Sequence, residues 1–172
     1  FSYAYYANIA SEGGSDWDWI PVNLQKATTL QSAFNGLARY TVDSATTAKT
    51  FPQLQTGPDL TNVQSCFANT RFVSFPVGGL PFSDTTNVKN FNSLFANNDQ
   101  LVSIGPINTA SATDVTSIFS NCIALTALPS FTTTKIQKWD LAFSKCRTIT
   151  STPAYNFNTS EFNGNLYGTY NE

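Results

Sequence analysis

The most reactive side chains in the sequence are three cysteines, Cys66, Cys122 and Cys146. A cysteine nucleophile works as a thiolate and needs a base beside it, most often a histidine. The 172 residues include no histidine, which removes Cys–His and Ser–His pairs from consideration. Zinc normally takes four ligands, and three cysteines without a histidine do not supply them. No glycine-rich phosphate loop is present. A carboxylate pair acting on a glycosidic bond is the chemistry that remains. Only Asp16 and Asp18 stand close together, while Asp59, Asp84, Asp99 and Asp114 read as turn and capping residues. The expectation is a protein that is not an enzyme and that needs no cofactor or metal.

The stretch "SDWDWIP" offers a second kind of chemistry. Asp16, Trp17, Asp18 and Trp19 set carboxylates beside indoles, an arrangement that holds sugars: the ring takes the apolar face of a pyranose and the carboxylate its hydroxyls. These four are the candidate glycan contact. The competing reading, which is favoured, is a cap whose indoles cover an open end of the core. "FSYAYY" puts Phe1, Tyr3 and Tyr5 on one face of a strand, either as an edge of the same cap or as a pairing edge for another chain. "NTS" at Asn158 fits a glycosylation acceptor and is also expected by chance in so polar a chain.

Composition bounds the partners. Charged residues are 12% and the net charge is −2, so nothing argues for nucleic acid or an anionic membrane. No apolar run reaches membrane-spanning length, and no basic-plus-apolar signal segment is seen. Ser, Thr and Asn carry the polarity instead, a composition frequent in surface-exposed repeat proteins. Met is absent even at position 1, which points to a mature product or an excised piece. Lys135, Lys138, Lys145 and Arg147 gather late in the chain and Glu12, Asp16 and Asp18 early. A solvated face explains this; head-to-tail self-association is the sharper alternative.

The elements that would position these residues follow from a repeat. Phe95, Phe119, Phe143 and Tyr167 recur with an even period of about 24 residues, and longer steps lead back to Phe67 and Phe34. Four residues before each full anchor stand Leu30, Val63, Phe91, Val115 and Trp139; one before it stand Ala33, Cys66, Leu94, Ile118 and Ala142. Cys122 and Cys146 follow their anchors by three residues, and Tyr40, Val73, Leu101, Leu125 and Ile149 follow by six. Prolines come next at Pro76, Pro106, Pro129 and Pro153. Positions −4, −1, 0 and +3 lie on one face of a short helix, which Thr113 or Asp114 would cap in the copy around Phe119. Leu125 to Leu128 is too short for a helix and reads as a strand. Such units bury their apolar faces only when stacked. Phe34, Phe67, Phe95, Phe119 and Phe143 then form a column. Cys122 and Cys146 fall on adjacent coils roughly 5 Å apart; a ladder of buried thiols is favoured over a disulfide, because parallel stacked side chains rarely reach disulfide torsions.

"VTSIFSNCIALTAL" and "WDLAFSKCRTIT" resemble the AFxxCxxLxxI pattern of BspA-type leucine-rich repeats, and "VKNFNSLFANNDQLVSI" fits with Asn98 in place of Cys. The resemblance spans about residues 27 to 155 and is weakest in the first copy, where "TVDSATTAKT" intervenes. It implies an α/β solenoid, a leucine-rich-repeat-like stack of about five coils of roughly 24–33 residues, each a short helix plus a short strand. The expected division is residues 1–26 as an N-terminal cap or edge strand, 27–159 as the solenoid, and 160–172 as a truncated C-terminal repeat or cap in which Leu166, Tyr167 and Tyr170 keep register. The resemblance also implies adhesion or recognition of a protein or glycan at a cell or virion surface, with no catalytic residues. A structural subunit of an extracellular fibre, capsid or phage tail, its open end completed by a neighbouring chain, is the alternative.

Overall fold

The computed structural model describes residues 23–37, 52–75, 80–132 and 134–150. The α/β solenoid is not what these residues form: among them there is no α-helix, and the strands are two short ones. They are β1 (Asn23–Leu24) and β2 (Gln55–Thr56), paired in parallel with Asn23 opposite Gln55. Residues 125–128 form no strand.

What replaces the helix is a run of tight turns. Around Phe119, the N–H of Ile118 donates to Val115 O, that of Ser120 to Ser117 O and that of Cys122 to Phe119 O, at 3.0–3.1 Å. Each of these bonds spans three residues rather than four. The backbone is left-handed at Ser117 (φ 54°) and Asn121 (φ 62°). Ser32, Ser65, Ser93 and Leu141 repeat the first of these, and Gly36, Asn69, Asn97 and Lys145 the second. Positive φ at the third residue of a four-residue turn is the signature of a type II turn, and an α-helix of L-residues does not tolerate it.

The predicted helix cap is also a turn. Asp114 Oδ1 accepts the N–H of Thr116 at 2.9 Å, Asn62 that of Gln64 and Asn90 that of Asn92. An N-cap and an Asx-turn make the same side-chain bond to the N–H two residues on. The capping residue was therefore legible and the element it starts was not.

Successive copies lie side by side in parallel. Bridges link Thr29 to Asn62, Asn62 to Asn90, Asn90 to Asp114 and Asp114 to Lys138. Within the run of turns, alternate N–H groups donate to the next copy, Phe95 N to Ile118 O and Phe119 N to Ala142 O, each at 2.9 Å, while just before it Lys89 N and Thr113 N donate back to Thr61 O and Lys89 O, also at 2.9 Å. One apolar core runs through the copies. Ring centroids in its centre are 5.1 Å apart for Phe34–Phe67, 6.1 Å for Phe67–Phe95, 5.5 Å for Phe95–Phe119 and 6.2 Å for Phe119–Phe143, with planes within 20° of parallel. These spacings lie in the range where aromatic pairs attract. Phe72, Phe75 and Phe82 pack around Phe67 where the step between copies is longer. Phe131 and Trp139 pack beside Phe143.

Candidate interaction surface

Position +3 carries Cys122 and Cys146, and its local backbone explains them. Cys122 Sγ donates to Phe95 O and Cys146 Sγ to Phe119 O, each at 3.1 Å and each reaching the anchor of the preceding copy. Asn98 makes the same contact from the same position, its Nδ2 donating to Phe67 O at 2.7 Å, and it also reaches Phe95 O. Thr70 Oγ1, one copy earlier, donates to Phe67 O and Asn98 Oδ1. From the copy around Phe67 onward the position holds a small buried donor for a carbonyl at the core edge, as hydroxyl, amide or thiol, while Leu37 fills it in the first described copy. All three cysteines are free and buried. Burial pushes the Cys146 thiol up to about 11. Burial also raises the Cys66 and Cys122 thiols, with the neighbouring Cys146 adding to the effect at Cys122. Raised thiols are protonated at neutral pH and poor nucleophiles.

The aspartates stand apart from one another. Asp84 Oδ1 accepts the N–H of Thr86, and Asp114 pairs with Lys138 at 3.6 Å. Asp59 lies 3.9 Å from Lys26, and Asp99 lies 3.8 Å from Arg71. Half-exposed pairs of this kind contribute little to stability. Among the described residues, no group of His, Cys, Asp or Glu could hold a metal ion. Lys135, Lys145 and Arg147 are exposed on the last described copy. Asp16, Trp17, Asp18 and Trp19 lie outside the described residues, as do Glu12, the "FSYAYY" segment, Tyr40, Pro76, Pro153, Asn158 and the truncated last copy.

A row of carboxamides was not anticipated. Asn69 Nδ2 donates to Asn35 Oδ1 at 3.1 Å, Asn97 Nδ2 to Asn69 Oδ1 at 3.0 Å and Asn121 Nδ2 to Asn97 Oδ1 at 3.2 Å. Asn69, Asn97 and Asn121 stand at +2, where the backbone is left-handed, and asparagine is one of the few residues that visits that region readily. Copies lie roughly 5 Å apart, so the ladder is a line of amides at that pitch on the outside of the turn strip. Asn69 and Asn97 each use one N–H and one lone pair in the ladder, Asn35 only accepts and Asn121 only donates, and the remaining N–H groups and lone pairs can serve a partner. The signal was present in "FANT", "FANN" and "FSNC", where Asn recurs two residues after Phe67, Phe95 and Phe119. Large apolar side chains are exposed at Val102, Ile123 and Leu141. No helix among the described residues is long and apolar enough to cross a membrane.

A family model described as "Mycoplasma protein of unknown function, DUF285" matches residues 61–168, so the match begins with the copy around Phe67. The copy around Phe34 precedes it, yet makes the same turns and the same bonds to its neighbour. No curated protein and no solved structure matches the chain.

Proposed function

The chain belongs to the DUF285 family, and on that premise we propose that it is a non-catalytic recognition module of a cell or virion surface. It contacts a protein or glycan partner through the carboxamide face of its repeats. The BspA-like wording of "IFSNCIALTAL" and the Ser/Thr/Asn-rich, charge-poor composition support a surface role. The observation that carries the reading is the Asn35–Asn69–Asn97–Asn121 ladder. It fixes four amides in one line before any partner arrives, and preorganised polar groups lose little freedom on binding.

The test exploits the backbone beneath the ladder. Gly36 already occupies position +2 in the first copy with φ 79°. Replacing Asn69, Asn97 and Asn121 by Gly keeps the left-handed turns and deletes the amides. On a printed glycan array and on immobilised extracellular-matrix proteins, binding by the native chain should fall at least about tenfold in the triple variant, a loss of about 1.4 kcal/mol. The variant should still unfold cooperatively. Binding that is unchanged would remove the ladder from the reading. Ordered polymers of the native chain in native mass measurement would favour a structural subunit instead.

A further inference from the structure

The described row of carboxamides runs on into a cation. Position +2 holds Gly36, Asn69, Asn97 and Asn121, and in the last described copy it holds Lys145. The stacking sets Lys145 next in line, since Asn121 N donates to Ser144 O at 2.7 Å just as Asn97 N donates to Ser120 O at 2.8 Å. Lys145 does not suit this backbone. Its φ is 62°, in the left-handed region that Gly and Asn enter at less cost. Leu141, at the other left-handed position of the same copy, has φ 56° where the earlier described copies carry Ser. Neither side chain is buried in return: Lys145 is exposed and Leu141 is 50% exposed. The Lys145 ammonium group pairs with no carboxylate among the described residues. Strain that packing does not offset points to a functional role.

The charge around Lys145 favours an anion. Residues 134–150 hold Lys135, Lys138, Lys145 and Arg147 against Asp140 alone, and Lys138 pairs with Asp114 of the preceding copy. The amides beside it narrow the class of partner. An extended peptide laid along the row would turn like groups to one side about every 6.6–6.8 Å, out of step with amides roughly 5 Å apart. Hydroxyl groups both donate and accept, which is what the spare N–H groups and lone pairs of Asn69, Asn97 and Asn121 call for. A sugar chain carries such hydroxyls on every ring. Resting on the ladder reading given above, we propose that the partner is a neutral oligosaccharide ending in one carboxylate-bearing sugar. The hydroxyls of its neutral sugars lie on Asn69, Asn97 and Asn121, and its carboxylate lies on Lys145. The cation sets the direction in which the chain lies along the row.

The experiment uses the full chain and a printed array of neutral oligosaccharides beside the same oligosaccharides capped by a carboxylate sugar. The native chain should bind the capped forms about tenfold more tightly, and that preference should shrink as salt rises from about 0.1 M to 1 M. Lys145→Asn puts a residue suited to positive φ at the position. It should erase the preference, leave binding of the neutral forms as it was, and leave Tm unchanged or raise it by up to about 4 °C. Lys145→Arg should keep the preference. Equal binding of capped and neutral forms by the native chain would overturn this proposal and leave the ladder reading standing. A Lys145→Asn variant that keeps the preference, or that melts lower than the native chain, would do the same. Binding untouched by the triple Gly variant would remove the ladder reading and this proposal with it. Competition by polyglutamate as strong as that by the free capped oligosaccharide would assign the row to an acidic peptide and overturn the proposal equally.

Discussion

Ser117 and Asn121 show how single residues decide the course of this chain. Both hold positive φ, as do their counterparts in the other copies, and each L-residue there costs roughly 1–2 kcal/mol that Gly or Asn largely avoids. Leu141 and Lys145 occupy the same two positions in the last described copy without that advantage. Asn at +2 was visible in the sequence as a left-handed signal; Ser at −2 was not, because serine suits many conformations. The thiols make a prediction at this scale. Burial raises Cys146 from 9.0 to about 11, so the folded chain holds that proton more tightly than the unfolded one. Below about pH 9 both states keep it and its contribution is intact. From about pH 9 to 11 the unfolded state ionises first, and stability falls by about 1.4 kcal/mol per pH unit for this thiol. The urea-measured advantage of the native chain over Cys146→Ala should therefore shrink between pH 8 and pH 11. A constant advantage would contradict the assignment.

Each copy is the element of this fold, and its inside was easier to read than its backbone. Apolar residues at −4, −1, 0 and +3 face one way in a helix, and they do so equally in a chain of four-residue turns. The pattern named the buried residues, with Val115, Ile118, Phe119 and Cys122 all inaccessible, but it did not distinguish the two backbones. The capping bond of Asp114 is common to both, which deepened the ambiguity. Phe119 lies between Phe95 and Phe143 in the column and touches Phe131. Truncation to Ala should cost about 3–5 kcal/mol by denaturant titration, since its neighbours are held by their own turns and the cavity collapses only in part. A cost below about 1 kcal/mol would mean the column does not stabilise the fold.

Taken together, the described copies donate forward from their turn strips, as Phe95 N does to Ile118 O, and back from the residues just before them, as Lys89 N does to Thr61 O, so each contacts mainly its neighbours. The even period was legible from the anchors Phe95, Phe119 and Phe143 alone. The forward bonding of the turn strip was not, because it depends on which peptide groups the left-handed residues turn toward the next copy. The carboxamide ladder is a product of that stacking, so the proposed binding face stands or falls with it. The most direct test is the scalar coupling across hydrogen bonds between amide nitrogen and carbonyl carbon in the labelled chain. The account predicts that Phe119 N couples to the carbonyl of Ala142 and Phe95 N to that of Ile118. Coupling of Phe119 N to the carbonyl of Val115, four residues back, would mean a helix and would contradict it.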